Sequence, residues 1–323
     1  MHILAPENLK KGLIFGICAA FVVGLQPVIA NARTSEIDFY IFAAMTNLIE
    51  FLIFFPLLIF ERRQLKKNKE TIISSEGRLI CESKLHGWKK NIGILILIGL
   101  IFTAVPVFNF FGLEYAGAIN GSLVLKTRIF FSLIFGYLIL HEKVSLLQII
   151  FSFVLFFGVA LAITQGEFFF LDFNMGVLIL LINVIISPFG HNLTKSRLNR
   201  YEVTPYLVIC IRNLCSMIIL FSTYFLIFPL ENINIFFNPT NYIWFLLMGC
   251  TYGFGLLLWY RTISYLDMSK AMTLLSFTTI VTAIFATIFL DEVFTIFHLV
   301  GTLIMIVSTV IIVRPRKADV EVM

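Results

Sequence analysis

Charged side chains are scarce in this sequence: they account for 13% of its 323 residues, while 59% of the residues are apolar. A soluble globular domain has roughly 25% charged residues and roughly half of its residues apolar. Phenylalanine alone occurs 36 times, and the mean hydropathy is +0.95. This balance excludes a water-soluble protein and predicts an integral membrane protein.

The sequence also lacks the motifs of metal, redox and nucleotide chemistry. Its five cysteines form no CxxC pair and no Cys/His cluster, so we predict neither a disulfide framework nor a zinc site. It contains no P-loop, and it has none of the HExxH, DxxD or paired-histidine motifs expected of a membrane-embedded enzyme. We therefore expect no metal, no cofactor, no use of ATP and no enzymatic activity.

Long apolar runs take up most of the chain. About 20 apolar residues cross a bilayer as a helix, and short loops bring each unit to roughly 30 residues. The alternating pattern of a barrel strand is absent, so the runs are predicted to be helices, which satisfy their own backbone hydrogen bonds in lipid. Ten spans are predicted, at approximately 12–32, 39–60, 91–113, 116–140, 146–164, 174–192, 204–229, 241–260, 269–290 and 295–313.

The lysines and arginines are distributed unevenly between the loops, and cytoplasmic loops are the ones that carry such an excess. With the N-terminus inside, twenty of the 24 fall in cytoplasmic segments, nine of them in the loop 61–90, and only Arg33 falls in an external loop. The other three, Lys126, Arg128 and Arg212, fall inside spans. The bias predicts ten spans with both termini in the cytoplasm.

The chain contains an internal repeat. Its later parts align without a gap at a shift of 150 residues, and its early parts align at shifts of 164 and 166. Five helices per repeat would bring the second repeat into the membrane from the opposite side, an arrangement that recurs in secondary transporters. We predict repeats at 1–165 and 166–323, on matches such as Gly99 with Gly249, Tyr115 with Tyr265, Leu125 with Leu275, Glu142 with Glu292, and Asn47 with Asn213.

Two related segments resemble a known family. The run from Leu113 to Gln148 reads LEYAGAINGSLVLKTRIFFSLIFGYLILHEKVSLLQ, and the run from Ile263 to His298 reads ISYLDMSKAMTLLSFTTIVTAIFATIFLDEVFTIFH. Both are similar to the signature of EamA-type carriers in the drug/metabolite transporter superfamily. The resemblance implies ten helices, a central substrate cavity and alternating access. Members commonly carry a proline in the fourth and ninth helices, where this chain has Ile129 and Thr279.

Four ionisable side chains lie deep inside predicted spans: Glu50, Lys126, Arg128 and Arg212. Each costs roughly 2.5–3.5 kcal/mol at mid-bilayer, so such groups usually face a cavity or a partner. Lys126 and Arg128 are about 200° apart on an unbroken helix and are not expected to face the same way. We expect one to line the cavity and the other to pair with Glu50 or with a backbone carbonyl.

The predicted substrate-binding residues are Lys126, Arg128, Glu50, Asn47, Arg212, Asn109 and Trp259. Alternatives remain open for several of them. Arg212 could extend to the cytoplasmic surface, Glu50 could carry a coupling proton or act as a fixed counter-ion, and Asn109 and Trp259 could be packing residues or, in the second case, an interfacial anchor. His191 is expected at the membrane surface. Glu142 and Glu292 are each expected to cap the helix that follows them.

Taken together, these features predict a secondary transporter of a small metabolite in the cell membrane. The excess of positive charge inside the spans favours an anionic or carboxylate-bearing substrate, because an arginine can hold a carboxylate through two hydrogen bonds. The expected partners are this substrate and the lipid bilayer, with no nucleic acid and with a homodimer left open. The alternatives are a membrane-embedded transferase and a membrane scaffold without a cavity.

Overall fold

The computed structural model describes residues 6–71, 74–140, 145–167, 174–227, 235–266, 271, 274–275 and 277–313. Within these ranges the chain is helical and has no β-strand. The helices are α1 (Pro6–Ala32), α2 (Phe39–Thr71), α3 (Ser75–Lys90), α4 (Ile92–Ala116), α5 (Ala118–Lys126), α6 (Arg128–Leu140), α7 (Leu146–Ile163), α8 (Met175–Asn199), α9 (Pro205–Ile227), α10 (Pro239–Tyr265), α11 (Thr278–Phe289) and α12 (Ile296–Val313).

The prediction of an all-α, multi-pass membrane protein is confirmed. In the described part of the chain, eight helical segments are long and apolar enough to cross a bilayer, and two shorter apolar helices follow at Thr278–Phe289 and Ile296–Ile312. The helices α5 and α6 together form one of the eight. The exact number of ten spans and the cytoplasmic position of the termini stay predictions.

Several helices begin where the sequence supplies a capping side chain. Ser145 and Gln148 form a capping box at the start of α7, in which each side chain satisfies a backbone N–H that the helix leaves free. Asn174 accepts from the backbone N–H of Val177 at the start of α8. Asn238, followed by Pro239, starts α10 in the same way. These local signals explain why the predicted spans begin close to the observed helices.

The loop 61–90 is largely helical. Helix α2 continues well beyond the predicted end of its span, to Thr71, and α3 returns alongside it. The guanidinium of Arg62 joins the two helices by donating to the backbone carbonyls of Lys84 and Leu85, at 3.0 and 2.6 Å. The basic residues counted in this loop therefore lie on a helical hairpin.

Contacts between the helices follow the repeat. The repeat pairs α1 with α8, α2 with α9, α4 with α10, α6 with α11 and α7 with α12. Helix α1 packs on α10 and α11, and its counterpart α8 packs on α4 and α6; likewise α2 packs on α10, and α9 packs on α4. Two counterparts, α2 with α9 and α7 with α12, pack on each other. The two halves are therefore related by an approximate two-fold symmetry.

Glycines let the last pair of counterparts approach closely. A Cβ at Gly301 of α12 would lie 2.5 Å from the carbonyl oxygen of Gly158 on α7, and a Cβ at Gly158 would lie 3.1 Å from the carbonyl oxygen of Gly301. Small residues permit this backbone contact in membranes, where helix association depends on packing because lipid is as apolar as the side chains.

Candidate functional site

The fourth predicted span is broken near its middle, at Thr127, and the ninth is broken at the equivalent position, Phe277. The backbone N–H of Thr127 donates to Val124, three residues back, and that of Phe277 donates to Leu274. The two hydrogen bonds lie 150 residues apart, which is the shift at which the sequence repeat aligns these positions. Neither break has a proline, so the absence of proline at Ile129 and Thr279 does not prevent the interruption.

The two breaks border a cavity of about 70 Å³. It lies between α1, α4, α10 and the segments on either side of the breaks. Its wall contains two basic side chains and no acidic one among the described residues. The lining residues are Val23, Gln26, Pro27, Asn109, Ser122, Leu125, Lys126, Arg128, Ile129, Tyr252, Leu275, Thr278 and Thr282.

Lys126 is the last residue of α5, and it is 9% exposed. Its Nζ donates to the backbone carbonyl of Leu275 and to the hydroxyl of Thr278, both in the second half of the chain. Of the two partners expected for a basic residue here, a carbonyl or Glu50, the structure shows the carbonyl.

Arg128 begins α6, immediately after the break, and it lines the same cavity as Lys126. The prediction that these two side chains cannot face the same way is therefore wrong. It assumed an unbroken helix, whereas the turn at Thr127 changes the direction in which the next side chain projects. The Nε atom of Arg128 is buried and has no hydrogen-bond partner among the described residues. The guanidinium thus has one unsatisfied donor, on a residue that borders the cavity.

Asn109 and Tyr252 are two of the uncharged polar residues in the cavity wall. Asn109, 5% exposed, lines the cavity, and its Oδ1 accepts from the Nδ2 of Asn183 on α8 at 3.4 Å. Tyr252 of α10 lines it from the opposite half and interacts electrostatically with both Arg128 and Arg212. The cavity therefore offers amide and phenol groups beside its two basic side chains.

Glu50 and Asn47 do not line this cavity. Both are completely buried on α2 where it packs on α9. Glu50 accepts from the Nδ2 of Asn213 at 2.9 Å and interacts electrostatically with Arg212, and Asn47 donates to the backbone carbonyl of Ala43 at 2.7 Å. The alternative in which Lys126 or Arg128 pairs with Glu50 does not hold, because no ion pair shorter than 4 Å between described residues includes Glu50.

Arg212 is also absent from the cavity wall. It is 2% exposed, its guanidinium carbon lies 4.0 Å from the centre of the Phe102 ring, and its Nη1 donates to the hydroxyl of Tyr260 at 3.4 Å. The alternative in which Arg212 extends to the cytoplasmic surface is wrong. The ring face and the phenol oxygen hold its charge inside the bundle.

Trp259 is a packed residue that does not line the cavity. It is 4% exposed, and its Nε1 donates to the Nδ1 of His191 at 3.3 Å. The expectation that His191 lies at the membrane surface is wrong, since it is 8% exposed and its ring packs on Phe102. The error arose because α8 continues to Asn199, which places His191 two turns inside the helix.

Glu292 caps a helix of the opposite half. Its carboxylate accepts from the backbone N–H groups of Ala118 and Ile119, at 2.6 and 2.8 Å, at the start of α5. The prediction that it caps the following helix is wrong, because its carboxylate is bonded to α5 instead; the residue before it, Asp291, has a positive φ of 54°. The matching prediction for Glu142 lies outside the described residues.

Five polar lining residues are outside the predicted substrate-binding set: Gln26, Ser122, Tyr252, Thr278 and Thr282. Thr278 could have been found, because the repeat aligns it with Arg128. The sequence carries no comparable signal for the others, since uncharged polar groups are common in the packing of membrane helices.

The chain is similar to known proteins in both sequence and fold. The model of the EamA-like transporter family matches residues 10–164 and 174–314, one match for each half. A solved crystal structure of a protein shares the fold with a TM-score of 0.64 at 9% identity, over 94% of this chain and 96% of the other. No curated protein matches the chain. The two family matches cover nearly all of the sequence, and the chain belongs to the EamA-like transporter family.

Proposed function

We propose that this protein is a secondary transporter of a small anionic or carboxylate-bearing metabolite. The observation that carries the proposal is the joint presence of Lys126 and Arg128 at a cavity between the two halves. A carboxylate suits this wall because a guanidinium can hold it through two hydrogen bonds. A neutral or cationic substrate would leave the two basic groups uncompensated.

The helix breaks add to the preference for an anion. Helices α6 and α11 both begin at the cavity, with Arg128 and Thr278 as their first residues. A helix N-terminus carries unpaired backbone N–H groups and a partial positive charge, and in transporters with interrupted helices such ends point at anionic substrate groups. The backbone and the basic side chains therefore favour the same charge.

The rest of the wall suits a small, uncharged part of the substrate next to its anionic group. Its apolar surface comes from Val23, Pro27, Leu125, Ile129 and Leu275, and its amides come from residues on α1 and α4. At about 70 Å³ the cavity admits only a very small solute in this conformation. A larger metabolite requires the halves to separate, as alternating access demands.

The membrane arrangement that goes with this function has ten spans, two inverted five-helix halves and both termini in the cytoplasm. The distribution of basic residues supports this orientation, and the symmetric contacts of the helices support the two halves. Exchanging the conformations of two inverted halves opens a central site first to one side and then to the other. Transport would use an ion gradient, an exchanged solute or the substrate's own gradient.

The cavity also separates this proposal from its alternatives. A scaffold has no use for two basic side chains converging on an internal space. A membrane-embedded transferase would need clustered acid, base or metal ligands, and the described residues contain no group of three or more His, Cys, Asp or Glu that could hold a metal ion.

Counterflow in liposomes tests the proposal. Purified protein is reconstituted with unlabelled pyruvate, succinate, aspartate or inorganic phosphate inside, and entry of the labelled compound is followed. Arg128→Ala should lower the rate about ten- to a hundredfold for the transported compound, since one hydrogen bond to a charged group contributes about 1.5–3 kcal/mol. Arg128→Lys should retain part of it.

Arg200→Ala is the matched control, because Arg200 is exposed at the end of α8 and should leave the rate unchanged. The anion preference is wrong if Arg128→Ala and Lys126→Ala both transport and bind as the wild type does. Counterflow of a neutral amino acid or nucleoside, with no anion transported, would overturn it equally.

A further inference from the structure

A second polar cluster lies at the contact of α2 and α9, outside the cavity. Its centre is Glu50, which is completely buried. One carboxylate oxygen, Oε2, accepts from Asn213, while the other, Oε1, has no hydrogen-bond partner among the described residues. No ion pair shorter than 4 Å between described residues includes Glu50. Only one of the two carboxylate oxygens therefore accepts a hydrogen bond from a described residue.

Of the unpartnered polar atoms on Glu50, Asn47, Asn213 and Arg212, three are acceptors and one, the Nε of Arg212, is a donor. Asn47 lies one turn before it on the same face of α2, and Asn213 faces it from α9; both are completely buried. The Oδ1 atoms of both asparagines lack a donor, as Oε1 of Glu50 does. A proton on Oε1 would turn that oxygen into a donor, and an asparagine Oδ1 could accept from it. The cluster thus supplies the partner that a protonated carboxyl needs.

Ionisable groups face Glu50 from two of the helices that pack on α2. Helix α9 presents Arg212 and α10 presents Tyr252, and both interact electrostatically with Glu50. On α4 the ionisable side chains, Glu114 and Tyr115, occupy the last turn. Helix α3 meets α2 around Arg62, about three turns beyond Glu50. A proton on Glu50 would therefore mainly weaken its attraction to Arg212.

Tyr252 joins this cluster to the substrate cavity. It lines the cavity beside Arg128, and it interacts electrostatically with Arg128, Arg212 and Glu50. The next residue, Gly253, lies against Glu50, whose Cγ would be 3.2 Å from a Cβ at that position. A change in the charge of Glu50 is thus felt by a residue that would touch the substrate.

We propose that Glu50 is the proton-binding site that couples anion transport to a proton gradient. The proposal rests on the proposed function and adds the coupling ion to it. A proton taken from water on one side of the membrane binds to Oε1 while an anion occupies the cavity. Both are released on the other side, so one proton moves with each anion and no other bond forms or breaks.

The test measures two activities separately: counterflow of the anion, which needs no proton gradient, and uptake of the anion driven by a proton gradient. Glu50→Gln keeps the hydrogen-bonding shape of the protonated carboxyl but cannot release a proton. In liposomes it should retain counterflow of the transported anion within about twofold, and lose the uptake that an inward proton gradient drives in the wild type. Glu70→Gln, the same change on an exposed part of α2, should retain both activities. Wild-type uptake that ignores the proton gradient, but responds to a sodium gradient, would overturn the proposal.

A spectroscopic readout keeps the two proposals distinguishable. Infrared difference spectra of the protein in lipid nanodiscs, taken between acidic and alkaline buffer, should contain a protonated-carboxyl band that is missing in Glu50→Gln and present in Glu70→Gln. This readout needs no substrate. Absence of counterflow with every anion, together with the Glu50 band, would reject the anion carrier and keep the proton site. Identical spectra for wild type and Glu50→Gln would overturn the proton site, as would a folded Glu50→Gln that has lost counterflow.

Discussion

Lys126 of the first half donates a hydrogen bond to the backbone carbonyl of Leu275 in the second. The repeat aligns Leu275 with Leu125, the immediate neighbour of Lys126. The bond therefore joins nearly equivalent points of the two halves, close to the symmetry axis that relates them. The bond also gives a partner to a backbone carbonyl beside a helix break. In a membrane, backbone groups that a helix leaves free need a partner from elsewhere in the protein.

The bond between Lys126 and Thr278 can be measured with a double-mutant cycle. Thr278→Val should lower the free energy of unfolding by about 1–3 kcal/mol in the wild type, because it removes an acceptor from a buried ammonium group. In the Lys126→Met background the same change should cost almost nothing. Chemical unfolding in detergent micelles gives all four values. Thr309→Val, on α12, should be additive with Lys126→Met; equal additivity for Thr278→Val would contradict the observed contact.

The cap that Glu292 places on α5 predicts a measurable loss of stability. Glu292→Ala leaves the N–H groups of Ala118 and Ile119 without their acceptor, and it should cost about 1–2 kcal/mol, as the loss of a helix N-cap does. Thermal unfolding should show a lower midpoint. Asp291→Asn is the control, because Asp291 is exposed and asparagine accepts its positive φ angle. Equal shifts for the two variants would mean that the cap has no energetic value.

Two glycine-to-alanine variants should change stability in opposite directions. At Gly301 the added methyl group meets the Gly158 carbonyl oxygen at 2.5 Å, so α7 and α12 must separate and the folded yield should fall. At Gly93 nothing lies within 4 Å, and alanine should be neutral or stabilise α4 by up to about 1 kcal/mol. Unfolding midpoints in the same detergent test this contrast. A Gly301→Ala protein as stable as Gly93→Ala would show that the close contact is absent in the membrane.

The proposed orientation predicts which surface positions are reachable from outside the cell. In a background with the five native cysteines replaced by serine, Val293→Cys should react with a membrane-impermeant maleimide in intact cells. Glu76→Cys should react only after the membrane is permeabilised, because α3 belongs to the basic cytoplasmic hairpin. Val293 and Glu76 are both exposed, so access across the membrane decides the result. The reverse pattern would invert the whole arrangement.

Long apolar runs indicated the helical class, and a constant shift of 150 residues indicated the repeat, but the two basic residues of the cavity were found for a different reason. The energetic penalty of charge in lipid makes Lys126 and Arg128 conspicuous in an apolar run. The same penalty marked Glu50 and Arg212, but it does not distinguish a cavity from a packed polar cluster, so these two were assigned to the substrate as well. The break at Thr127 was missed because neither proline nor glycine stands there; what stabilises it is a bond to Leu275, far along the chain.

Helix α5 is synthesised well before three residues to which it is bonded. Its first turn is bonded to Glu292, and its last residue is bonded to Leu275 and Thr278. A ribosome adds about 5–20 residues per second, so α5 waits about ten to thirty seconds for the partners that will hold it. During that time the first half is present in the membrane without its binding site. The cavity is completed only when the ninth span arrives, so the first half made alone should fail to form it.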